Sequence, residues 1–135
     1  MDNEALTVHD YWQEPNRYET VNGWWEARGM GKFPENLIPP LAVLVRRGGV
    51  AVAFLACYMS VGIGVARLDW MVSAPGQTAR MTAQAMLFAE SALCAAAKAN
   101  GYGLAMTSTI PAAARFLRRA GWRDSSDRVE LVKYF

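Results

Sequence analysis

The chain is poor in the residues that build metal centres and covalent cross-links. It has one histidine and two cysteines, Cys57 and Cys94, among 135 residues. A structural zinc site takes about four such ligands, so no metal site is expected. Both cysteines sit in apolar sequence and read as small buried hydrophobes in a reducing compartment, not as a disulfide. Long apolar runs are missing too: no window reaches the roughly 20 residues that a membrane-spanning helix needs. The first ten residues, MDNEALTVHD, are acidic and lack an apolar stretch, which argues against a secretion signal and for a cytoplasmic protein. Strong charge of either sign is absent, and a net +2 does not by itself point to nucleic acid. No linker, repeat or low-complexity run divides the chain, so residues 1–135 read as a single domain.

What is present is apolar and aromatic. Hydrophobic residues make up 53% of the chain, with five each of Trp, Tyr and Phe, enough for a substantial core. Residues 4–8 read as a short strand. Asn16 to Arg28 reads as a helix, with Asn16 as cap, Glu19 at the capping-box position and Gly29 past its end. Tyr18, Val21, Trp24 and Trp25 share one helical face. Such a face is first of all core; its alternative use is an aromatic wall for a substrate. Residues 41–46 and 50–59 flank Gly48-Gly49 as a hairpin, and a turn at 60–64 leads into a third strand ending at Ser73. A long helix spans Thr78 to Ala99, with Met86, Ala89, Leu93 and Ala97 inward, Gln84, Ser91 and Lys98 outward, and Glu90 at the solvated border. Residues 103–109 read as a strand. Pro111 opens a short helix that Gly121 ends, and VELVKYF at 129–135 alternates like a last strand. Arg115, Arg118 and Arg119 give the short helix a basic face, ordinarily a solvated one and alternatively a site for phosphate contacts.

The stretch from Leu68 to Met86 organises the rest. A strand turns at Pro75-Gly76 and enters the long helix, for which Thr78 is the natural N-cap. Free amides at such a helix start point outward and favour an anion. Arg80 places a cation in the first turn, where the dipole disfavours it unless a bound anion compensates. The plainer reading is an ordinary strand–turn–helix connection with a solvated arginine.

The element order, with PAAARFLRRAGW near the end, resembles the GNAT (Gcn5-related N-acetyltransferase) family. That family's last helix carries a pattern like A-x-x-F-Y-x-x-x-G-F, which Ala113, Phe116, Gly121 and Trp122 match, with Trp in place of the final Phe. Asp69, Trp70, Val72, Pro75 and Arg80 resemble the family's central strand and pyrophosphate loop. The small size and aromatic N-terminal half resemble compact, phage-encoded members. The resemblance implies an α+β fold: a mixed, mainly antiparallel twisted sheet flanked by helices, with one parallel βαβ crossover. It also implies that the strands at 67–73 and 103–109 splay apart to admit acetyl-CoA. Met71, Val72 and Ser73 would offer backbone bonds to pantetheine. Amides from Gln77 through Thr78 and Ala79 to Arg80 would hold the pyrophosphate, and an N–H near Val72 would polarise the acyl carbonyl. Asp69 is the candidate base for the amine, or else a structural carboxylate paired with Arg67. Trp24, Trp25, Tyr58 and Ser108 are the candidate acceptor-side residues.

Two departures bear on activity. The family loop is usually Q/R-x-x-G-x-G/A, and here Arg80 and Thr82 replace both glycines, so side chains can narrow the cradle. Leu117 stands where a general-acid Tyr is common, and Ile110 where an Asn often precedes the helix. Three functions are therefore expected candidates. One is acyl transfer from acetyl-CoA to the primary amine of a small molecule or protein. A second is Mom-like modification of a nucleobase in DNA, with nucleic acid as partner. The third is a non-catalytic virion or host-interaction protein, placed in host cytoplasm or particle.

Overall fold

The computed structural model describes residues 4–125 together with residues 131, 133 and 135. Five strands, β1 (Leu6–Asp10), β2 (Ala42–Arg47), β3 (Val50–Met59), β4 (Val65–Ser73) and β5 (Leu104–Thr107), form one sheet in that spatial order. Every neighbouring pair is antiparallel except β4–β5, which is parallel. Three helices complete it: α1 (Arg17–Ala27), α2 (Ala79–Ala99) and α3 (Pro111–Arg119). The crossover between the two parallel strands is α2, as the family resemblance implied. The strand expected at 129–135 falls outside the described residues, three isolated positions aside.

Strand alternation divides the core into two layers. Val43, Val45, Leu55, Cys57 and Leu68 meet Met86, Ala89, Leu93 and Ala97 of α2 on one face. Leu44, Phe54, Ala56 and Val72 meet Val21 and Trp24 of α1, with Tyr11 and Phe33, on the other. The inward positions expected for α2 hold, with Leu93 and Ala89 fully buried; of the outward ones Ser91 and Lys98 are exposed and Gln84 is half-buried. Among the described residues no helix is long and apolar enough to cross a membrane.

Two local expectations are corrected. Asn16 has a left-handed backbone (φ 54°), which turns its side chain away from the first-turn amides, and it makes no side-chain capping bond. Glu90 is not simply a solvated border residue. Its carboxylate accepts from Trp122 Nε1 at 3.0 Å and from Cys94 Sγ at 3.5 Å, tying α2 to the segment that leaves α3. Burial first, then the adjacent Glu90 carboxylate, push the Cys94 thiol up to about 12.

Three helix ends have defined closures. Past α1, Gly29 N–H bonds Glu26 O and Met30 N–H bonds Trp25 O, the paired closure that needs a left-handed residue at Gly29 (φ 70°). Gly121 (φ 101°) closes α3 in the same way and turns Trp122 back onto Glu90. At the start of α2 Thr78 is the cap, its hydroxyl accepting from Met81 N–H at 3.1 Å.

Candidate functional site

The parallel strands pair over four residues only, Val65–Leu68 against Leu104–Thr107. Thr107 Oγ1 closes the paired stretch by donating to Leu68 O at 2.8 Å. Beyond it β4 continues to Ser73 while the chain after β5 turns into α3. Between those diverging segments lies a cleft of about 710 Å³. One wall is Met71, Val72 and Ser73. Another is Ala79, Thr82 and Met86 of α2. Ser108, Thr109 and Ile110, with Ala113 and Phe116 of α3, form the third. Trp25, Arg28, Met30 and Trp70 close the α1 side.

A bulge sets the backbone of β4 there. Phe54 pairs with Val72 and Ala56 with Asp69, so Trp70 and Met71 together oppose Leu55. Trp70 takes the extra turn at φ 65°, costly for an aromatic residue by about 1–3 kcal/mol. Its indole N–H donates to Tyr58 Oη at 2.6 Å, and its ring packs on Trp25 with centroids 5.8 Å apart. Tyr58 Oη in turn donates to Leu37 O, so the strained residue is held from two sides.

The bulge decides which backbone groups face the cleft. Ala74 N–H donates to Val52 O at 2.9 Å, which makes that pair hydrogen-bonded, and alternation makes Phe54/Val72 the next such pair. The polar backbone of Val72 is thus directed at β3. Ser73 faces the other way, and so does the Met71 carbonyl, which lies across the trans peptide from the Val72 N–H. Arg28 confirms the direction of Ser73: its Nη2 donates at 2.8 Å to both Ser73 O and Ser73 Oγ.

No protein-family model matches the sequence, and no curated protein matches it either. Backbone comparison is informative. A structure from meticillin-resistant Staphylococcus aureus, a protein of unknown function described as a probable acetyltransferase, superposes with a TM-score of 0.67 at 11% identity, over 96% of this chain and 100% of that one. A GNAT-family acetyltransferase from Streptococcus pneumoniae gives 0.63 at 15% identity over 97% of each chain. The chain has the GNAT fold. A predicted acetyltransferase from Clostridium acetobutylicum, solved with acetyl-CoA, gives 0.59 at 12% identity over 95% of each chain.

Within this GNAT fold the candidate residues separate into groups. Met71, Val72, Ser73 and Ala79 line the cleft, as do Trp25 and Ser108. Val72 contributes its side chain, since its amide is turned to β3. Gln77 pins the turn before α2, its Nε2 donating to Val52 O at 3.0 Å and Ala74 O at 3.1 Å. Thr78 caps the helix, and Arg80 is exposed in its first turn. Trp24 is 8% exposed and belongs to the core, so no Trp24–Trp25 platform forms for a base or substrate. Tyr58 serves as the anchor of Trp70. Leu117 is buried, and Phe116 takes the cleft-lining position beside it. Of the basic face on α3, Arg118 is paired with Asp124 at 2.9 Å.

Asp69 lies beside the bulge and outside the cleft lining. Its Oδ2 accepts from Arg67 Nε at 2.9 Å, and Arg67 Nη2 donates to Ser108 Oγ at 2.9 Å. The carboxylate is therefore linked to the cleft wall through Arg67 and Ser108. Sequence reading missed Arg28, Met30 and Met86 as lining residues, while Thr82, read as narrowing the cradle, does line it. In the sequence Arg28 is only the last residue of a helix; nothing local announces that it crosses to Ser73, 45 positions away.

Proposed function

We propose that this protein is an acyl-CoA-dependent N-acyltransferase that moves an acetyl group from acetyl-CoA to a primary amine. One observation carries the reading: β4 and β5 part after Leu68 and Thr107, and the strand edge so freed presents backbone groups to the cleft. The residues fit the donor. An extended chain with amide groups can add to the exposed edge of β4 at Met71 and Ser73 as a strand would. Ala79 and Thr82 carry small side chains where α2 meets the cleft, and the capped helix start leaves amides for an anion.

Bound there, acetyl-CoA supplies an activated thioester; C–N replaces C–S, with one amine proton passing to the thiol of CoA and another to solvent. A strand N–H near Val72, on the freed edge of β4, polarises the acyl carbonyl. Asp69 assists loss of the ammonium proton through water at the cleft margin, with Arg67 and Ser108 setting its position.

Isothermal titration with acetyl-CoA tests the donor site, and thiol release with a panel of amines tests transfer. Binding in the range of about 1 μM–1 mM is expected, the usual span of enzyme KM values. The non-catalytic alternative draws on two features: Arg28 already occupies Ser73 O, and side chains stand at Arg80 and Thr82. Absence of acetyl-CoA binding would favour that alternative. The DNA-modifying reading loses its stacking pair with Trp24 in the core.

A further inference from the structure

The cleft has an uneven chemistry. Among its described lining residues Arg28 carries the one formal charge, and no Asp or Glu is present. Around it the wall is apolar: Trp25, Met30 and Trp70, with the two indoles packed together. Nη2 of Arg28 is fixed by two neutral acceptors, Ser73 O and Ser73 Oγ, and among the described residues no carboxylate pairs with the guanidinium. The charge is held in place without being neutralised, and a fixed guanidinium with N–H groups to spare suits a carboxylate.

Resting on the acyltransferase reading, we propose that the acceptor is an amine that also bears a carboxylate and an aromatic or apolar body, with Arg28 binding the carboxylate and the Trp25–Trp70 pair covering the body. A polyamine or a lysine-rich peptide fits poorly, because a second cation would meet Arg28 with no acid to receive it. The exchange of bonds is that of acetyl transfer generally. The ammonium loses one proton to solvent, nitrogen bonds the acyl carbon, the C–S bond breaks, and the second proton ends on the CoA thiol. Arg28 takes no part in these steps; it selects the substrate. A CoA phosphate is the other anion that could meet Arg28, and the arms below separate the two.

Thiol release is measured with acetyl-CoA and matched acceptors: phenylalanine against phenethylamine, and tryptophan against tryptamine. The expected kcat/KM is about 10- to 100-fold higher for the carboxylate-bearing partner, the range a charge-assisted hydrogen bond supplies. Arg28→Gln should bring the ratio close to one, with any change in the KM for acetyl-CoA the same for both members of a pair. Arg28→Lys, which keeps the charge and loses the fork, should retain part of the preference, and thermal melts show whether each variant is folded. A separate arm needs no turnover: titration of the protein with N-acetylphenylalanine and with N-acetylphenethylamine. The wild type should bind the acid at least about tenfold more tightly, and Arg28→Gln should erase the difference. Equal use of both members of each pair by the wild type overturns the proposal. So does a loss in Arg28→Gln confined to acetyl-CoA, which would assign Arg28 to a donor phosphate. Failure to bind acetyl-CoA, with the acid preference intact in the titration, would instead reject the acyltransferase reading and keep the anion site.

Discussion

Replacing Arg80 by alanine should move two quantities in opposite directions. Arg80 stands in the first turn of α2, two residues after the Thr78 cap, and its side chain is exposed. In the free protein a cation there opposes the helix dipole, at a cost of about 0.3–1 kcal/mol. Its removal should therefore raise the melting temperature of the free protein by about 1–3 °C for a domain of this size. With acetyl-CoA the sign reverses. A charge-assisted contact to a phosphate is worth about 1.5–3 kcal/mol when sheltered. Solvent screening at an exposed position brings it to about 1 kcal/mol, close to a fivefold rise in Kd. The assay is a thermal melt of both proteins without ligand, followed by titration with acetyl-CoA at low and high salt. The affinity gap should narrow as salt rises. An unchanged Kd, or a lower melting temperature in the free variant, would refute the placement of pyrophosphate at this helix start.

Asp69→Asn should lower kcat by about 10²-fold, the lower end of a general-base effect, with acetyl-CoA affinity retained; unchanged kcat with a lowered melting temperature would reduce Asp69 to the partner of Arg67. Thr78→Ala should cost about 1 kcal/mol in urea denaturation through loss of the bond to Met81 N–H. Stability should fall as pH rises above the ordinary thiol range. There the unfolded chain loses thiol protons that folded Cys94 and Cys57, both pushed upward by burial, still hold. Glu90→Gln should lessen that alkaline loss and speed alkylation of Cys94 at pH 9, since it removes the charge that adds to the effect of burial; unchanged alkylation would show that burial alone protects the thiol.

Local chemistry made much of the architecture legible. Gly48-Gly49 between two β-rich runs encodes a hairpin, and Met86, Ala89, Leu93 and Ala97 repeat with helical period. Thr78, Pro111 and Gly121 mark helix ends, because capping and left-handed closure depend on a few adjacent residues. A strand, a long helix and a second strand in succession already specify a parallel crossover. From these the α+β sheet and the GNAT resemblance follow.

The site was decided elsewhere. The bulge at Trp70 has no local signature, since a tryptophan at positive φ is unfavourable in isolation and is held by Tyr58 and Trp25. That bulge turns the Val72 amide toward β3 and leaves Met71 and Ser73 facing the cleft. Trp24 and Trp25 are adjacent in sequence, yet a helical step of about 100° sends one into the core and the other to the cleft wall. Asp69 reads in sequence as a base or as a carboxylate paired with Arg67; the fold makes the Arg67 pair and brings Ser108, just past β5, within reach of that guanidinium. Arg28 becomes the charge of the cleft because α1 packs over β4 and carries the guanidinium to Ser73. Periodicity and capping are properties of neighbours along the chain, and the sequence alone determines them here. Which amide, ring or charge faces the gap depends on pairing between distant segments, and only the assembled sheet determines that.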